Sequence, residues 1–226
     1  MVAVSENLIK IQADIEQAAE RAGRNKEDIN IIAVTKYVTI ERAKEALSAG
    51  VTNLGENRNE GFLAKFEEIG ESATWHFIGS LQSRKVKDIL HHIDYIHSLD
   101  RKSLAKEINK RSQKTVSCFV QVNVSGEESK HGLAEDKVEP FIKELALFKN
   151  IRVVGLMTMA PHVDNPEEAR PLFKKLRLLR DYIQSLHLDY APCEYLSMGM
   201  SNDYKVAVEE GATHIRIGTK LVGKEL

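Results

Sequence analysis

The chain has 226 residues, with 32 Lys and Arg against 33 Asp and Glu and a formal net charge of -1, so charge gives no reason to expect a nucleic-acid or anionic-membrane partner. Hydrophobic residues make up 42% and charged residues 29%, which excludes a disordered chain and suits a protein that buries its own core. Cys118 and Cys193 sit in apolar stretches without CxxC spacing, so neither disulfides nor a thiolate metal site is expected, and the reading is a reduced, cytoplasmic protein.

The first predicted element is a helix. Leu8, Ile9, Ile11 and Ile15 alternate with Glu6, Lys10 and Asp14, an amphipathic pattern and not a signal-peptide core. No stretch approaches the roughly 20 apolar residues of a membrane span. From there short β-branched runs alternate with helical patterns: 30–35, 51–54, 75–78, 93–97, 116–124, 151–157, 193–198 and 213–217. The clearest helix covers 166–186, with Ala169, Phe173, Leu176, Leu179, Ile183 and Leu186 on one face and Asn165 as N-cap ahead of Pro166.

Continuously apolar strands separated by helices predict a parallel sheet covered on both faces. Eight such units predict an α/β fold, a (β/α)8 TIM barrel over residues 1–226, with the extra N-terminal helix capping its bottom. A doubly wound sheet loses its usual support, because Gly50 and Gly55 form no GxGxxG and no GxxxxGK[ST] occurs.

In such barrels chemistry sits where strands end. Lys36 follows the first run, where partial desolvation favours a neutral amine able to form a Schiff base; a lysine that snorkels to solvent is the alternative. Thr39 is placed to cap the next helix. Gly55, Glu56, Asn57 and Arg58 follow the second run; taken alone they read as a glycine turn and a helix start, with Asn57 holding a ring oxygen of a ligand as the alternative. His76 is expected to be a hydrogen-bonded core or rim histidine, and Gly79 and Ser80 leave room near the barrel axis. No HExxH or similar cluster supports a metal.

The C-terminal third says most. Residues 197–203 follow the seventh run and Arg216, Ile217, Gly218 and Thr219 the eighth, the two loops that commonly build a phosphate site in this fold. Ser201 is expected as a helix N-cap whose hydroxyl and following amides face the mouth; Gly218 admits close approach and Thr219 adds a donor. An imine-forming lysine facing a phosphate site fits two chemistries, pyridoxal 5'-phosphate (PLP) binding and a sugar-phosphate aldolase. Arg216 bears on the choice: a guanidinium cannot serve as acid partner to a pyridine nitrogen, so it would keep that nitrogen unprotonated and weaken the ring as an electron sink.

These pieces together resemble the pyridoxal phosphate homeostasis protein family along essentially the whole chain. The shared segments are Ala33 to Lys36, Gly55 to Asn57, Trp75 to Gly79, Leu81 and Gln82, and His97 to Asp100. Further matches are Val122 and Asn123, Ser129 and Lys130 with Gly132, Gly155 to Met159, Ser197 to Ser201 with Asp203, and Arg216 to Thr219. Arg58 and Arg84 depart from the aromatic residue and asparagine more usual in the family.

The resemblance implies a fold-type III barrel like the barrel domain of alanine racemase, with PLP as an internal aldimine on Lys36. It implies Ser201, Gly218 and Thr219 around the phosphate, Arg216 near the pyridine nitrogen and Asn57 beside the ring. The implied role is to carry or buffer PLP in vitamin B6 and amino-acid homeostasis without catalysis. Agreeing with that, fold-type III racemases draw a second acid/base from a further β-domain, and no such domain is expected after Leu226. A weak PLP-dependent enzyme such as an amino-acid racemase is the alternative. Apo-PLP enzymes are the expected acceptors, with Lys130 either a transient PLP carrier or a solvated loop lysine. A self-contained barrel is expected to be a monomer, and Pro161, His162 and Val163 stand in the loop after the sixth strand.

Overall fold

Eight short runs too apolar to expose either face can all be buried by pairing edge to edge until the last meets the first. That is the arrangement in the computed structural model, which describes residues 2–127 and 130–225. Strands β1 (Asn30–Val34), β2 (Asn53–Glu56), β3 (Thr74–Phe77), β4 (Tyr95–Leu99), β5 (Val116–Gln121), β6 (Ile151–Met157), β7 (Tyr195–Met200) and β8 (His214–Ile217) pair in chain order. Every pairing is parallel, and β8 closes the barrel on β1.

Parallel neighbours need crossovers. After α1 (Val4–Arg21), these are α2 (Ile40–Ser48), α3 (Asn59–Ile69), α4 (Val86–Ile89), α5 (Lys102–Arg111), α6 (Glu135–Glu144), α7 (Arg170–Ser185) and α8 (Tyr204–Glu209), with a short α9 (Thr219–Val222) after β8. Thr39 caps α2, its hydroxyl accepting from the Arg42 amide at 3.3 Å. Asn165 caps a 3-10 turn, Pro166–Ala169, that leads into α7, whose Phe173, Leu176 and Ile183 are buried.

Two expectations are corrected. The apolar runs 51–54, 93–97 and 193–198 are displaced toward the N-terminus from β2, β4 and β7, because Val51, Ile93 and Cys193 are buried below the ladder while the polar or glycine-bearing ends continue it. Helix α1 does not cap the barrel bottom. It packs beside α8 and α9, where Asn7 donates to the Leu221 carbonyl at 3.0 Å and Tyr204 donates to Asp14 at 2.5 Å. With α9 only four residues long, α1 covers the seam that a longer last helix would otherwise fill.

The main apolar core lies between strands and helices; Phe119, Val154 and Met157, with Tyr95 and Tyr195 against them, form a separate cluster inside the barrel. No helix among the described residues is long and apolar enough to cross a membrane.

Candidate functional site

A cavity of about 570 Å³ opens at the C-terminal ends of the strands, and Lys36, Asn57, Ser201, Arg216, Gly218 and Thr219 all line it. Four strand ends bring these six residues together. The barrel axis, more than any local motif, converts distant sequence positions into one wall.

On the β1–β2 side, Lys36 lies in the turn two residues beyond β1 and is half-buried, with Nζ 4.8 Å from the centre of the Tyr37 ring. Its position is fixed from below. The preceding Thr35 donates its hydroxyl to Glu56 Oε1 at 2.7 Å, and Lys65 Nζ pairs with the same oxygen at 3.0 Å. Glu56 and Lys65 are both buried, so each charge is compensated only by such partners. Glu56 in turn precedes Asn57, so this buried carboxylate anchors the chain beside both cavity residues. Gly79 lets Asn57 pass: a Cβ there would come within 2.4 Å of the Asn57 carbonyl oxygen.

The β7–β8 side differs from expectation in one respect. Ser201 is not a helix N-cap. Helix α8 starts at Tyr204 with Asp203 in the capping position, and Asp203 Oδ1 folds back to accept from the Met200 amide at 2.6 Å. The turn is possible because Gly199 has φ of 91° and a Cβ there would meet that of Ala207 at 2.5 Å. Ser201 therefore sits on the turn itself. The hydroxyls of Ser201 and Thr219 enter no side-chain hydrogen bond among the described residues, so both retain donor capacity at the cavity wall. A Cβ on Gly218 would meet only Val34, at an ordinary 3.6 Å. Packing does not demand glycine there, and Gly218 leaves the cavity wall open at that point.

Arg216 is buried in the cavity floor, donating from Nη1 to Ser197 Oγ at 2.5 Å and from Nη2 to the Thr158 carbonyl at 2.8 Å. Burial pushes its pKa down to about 10, opposed by Asp203, and it stays a cation at neutral pH. Burial raises the Asp203 carboxyl, against the Met200 amide and Arg216, which lower it. Below Arg216 the interior is rich in histidine. His76 fulfils its expected core role, bonding to Asn53 Oδ1 and to His97, each at 2.9 Å. Burial holds His76 and His97 well below the usual imidazole range, with His214 adding to both and Arg216 to His97.

Sequence reasoning missed the structural partners. Thr158, Ser197 and His97 stand in the family-like segments, but nothing local shows that they meet Arg216 or one another. Pro161, His162 and Val163 line the cavity, and Asn202 Nδ2 donates to His162 Nε2 at 3.1 Å, joining the loops after β6 and β7. Lys130 is not among the lining residues, whereas the adjacent His131 is. Ser129 lies outside the described residues. Arg58 and Arg84 do not line the cavity, so the two departures from the family pattern fall away from it.

Residues 7–225 match the family of the alanine racemase N-terminal domain. A pyridoxal phosphate homeostasis protein of Aquifex aeolicus is 43% identical over 97% of both chains. This chain belongs to the pyridoxal phosphate homeostasis protein family. Among solved structures, PipY of Synechococcus elongatus with PLP bound superposes with a TM-score of 0.85 at 29% identity, covering 97% of this chain and all of that one. The alanine racemase of Corynebacterium glutamicum, 15% identical, gives 0.75 over 99% of this chain and 61% of its own length. That second likeness bears on the barrel alone.

Proposed function

We propose that this chain binds PLP in the mouth cavity and carries or buffers it for vitamin B6 and amino-acid homeostasis. The observation that carries the reading is the single wall holding a primary amine, two unspent hydroxyls beside an open glycine, and a buried guanidinium. PLP fits that donor set. When bound it supplies an aldehyde that condenses with a primary amine, releasing water. Lys36 Nζ is the attaching group; Ser201, Thr219 and the Gly218 backbone receive the phosphate, Arg216 donates toward the ring nitrogen, and Asn57 orients the ring. The PLP-bound PipY structure and the shared family name support the same ligand.

The non-catalytic part of the proposal rests on the chemistry at Arg216. A charged donor facing the ring nitrogen offers it no proton, which limits electron withdrawal by the ring and favours holding the cofactor over processing amino acids. Tyr37 and Met159 are exposed beside the cavity, leaving an open route for release to apo-enzymes from a monomeric carrier. Adding PLP to the protein and to Lys36→Ala tests this: a visible imine band in the first and none in the second is expected. No band in the wild type overturns the reading, and turnover of single amino acids that Lys36→Ala abolishes would convert it to a weak racemase-like enzyme.

A further inference from the structure

Arg216 is the first member of a hydrogen-bonded chain that crosses the barrel interior. Its Nη1 lies 2.5 Å from Ser197 Oγ, which is 2.9 Å from His97 Nδ1; His97 Nε2 is 2.9 Å from His76 Nδ1, and His76 Nε2 is 2.9 Å from Asn53 Oδ1. Ser197, His97 and His76 are buried, so none can exchange a partner for water. Ring planes are fixed as well: His76 stacks on Tyr95 at 4.7 Å and His97 on Phe119 at 4.2 Å.

The two ends decide every proton between them. A guanidinium has donors only, so Ser197 Oγ accepts from it. Asn53 Nδ2 donates to Thr52 Oγ1 at 3.4 Å, which leaves Oδ1 facing His76 as an acceptor only. His76 therefore donates from Nε2 and accepts at Nδ1. His97 must then donate from Nε2, and its Nδ1 accepts the Ser197 hydroxyl proton. All four bonds run in one direction, from Arg216 to Asn53, with both imidazoles neutral. The charged and titratable neighbours are Arg216, His214 and Tyr95, and among the described residues no carboxylate faces the pair to stabilise an imidazolium.

We propose that His76, His97 and Ser197 are positioning residues that lock Arg216 as a donor toward the cavity and so hold the ring nitrogen of the bound cofactor unprotonated. The inference rests on PLP as the ligand, but the chain itself exists without it. Because Ser197 Oγ and the Thr158 carbonyl take one N–H each, the guanidinium cannot rotate without losing both, and its remaining donors stay aimed at the cavity. A ligand nitrogen meeting them must present a lone pair.

Two measurements test this. Nitrogen NMR of the imidazoles in the cofactor-free protein should show His76 and His97 as neutral Nε2–H tautomers; an Nδ1–H tautomer, or protonation near pH 6.5, would overturn the polarity. With PLP added, Ser197→Ala and His97→Leu should still retain the cofactor on Lys36 but shift its visible band and the pH midpoint of that band. His97→Asn, which keeps an acceptor for the Ser197 hydroxyl, should bring both back toward wild type. Wild-type spectra in Ser197→Ala, with the Lys36 adduct intact, would overturn the positioning role even if His97→Leu fails to fold. Absence of any adduct in the wild type would instead overturn the PLP reading and the ring-nitrogen claim with it, while the imidazole spectra still decide the chain's direction.

Discussion

The mouth of the barrel and its interior are both rich in polar groups, yet they use them in opposite ways. Inside, Asn53, His76, His97, Ser197 and Arg216 satisfy one another along a single path. At the mouth, Ser201 and Thr219 leave their hydroxyls free of side-chain partners among the described residues, and Lys36 Nζ lies over the face of Tyr37. Polar density therefore does not mark the site. Unspent hydrogen-bonding capacity around an open volume does, because a buried group already paired has nothing left for a ligand.

The sharpest way to break this contrast is to remove an interior link. His76→Leu leaves both His97 Nε2–H and Asn53 Oδ1 without their partner, and should lower unfolding free energy by about 2–4 kcal/mol in urea denaturation; a loss below about 0.5 kcal/mol would mean the chain adds little. Acid should act on the same region. His214 titrates at about 4 in the fold because burial and Arg216 disfavour its charge, against about 6.5 in the unfolded chain. Above pH 6.5 the imidazole is neutral in both states. Below it the unfolded chain takes up protons that the fold refuses, so stability should fall as pH drops from about 6.5 to 4, by about 2 kcal/mol between pH 7 and pH 5 from His214 alone. His214→Phe should remove its share of that slope and leave the share of His76 and His97.

Mouth residues should behave in reverse. Ser201→Ala and Thr219→Val should each weaken PLP retention about tenfold while leaving the urea midpoint unchanged. Neither should alter the weaker binding of pyridoxal, which lacks the phosphate. Gly218→Ala should likewise cost little stability, under about 0.5 kcal/mol, because the new methyl meets only Val34; its effect should appear in PLP binding instead. A destabilisation comparable to that of His76→Leu would show that Gly218 serves the fold and not the cavity.

Much of the architecture was legible in the sequence because burial on both sides of a strand leaves a continuous apolar run. Residues 151–157 read that way and form β6 over the same span. Where strands run into polar ends the signal fails: the apolar run stops at Leu54, although Gly55 and Glu56 complete β2. The six candidate residues were legible as strand-end chemistry and family-like segments, and one cavity brings them together. Ser201 as an N-cap was wrong because the Asp203 side chain, bonding back to Met200, delays the helix. The interior chain was not legible at all: His97 and Ser197 are 100 residues apart, and only barrel closure brings them together.

The central claim is that Lys36 holds PLP in the mouth cavity. Reducing the PLP-loaded protein with borohydride and mapping the modified lysine by mass spectrometry tests it most directly. A single phosphopyridoxyl adduct on Lys36 is the expected result. An adduct confined to Lys130 or scattered over surface lysines, with Lys36 unmodified, would contradict it.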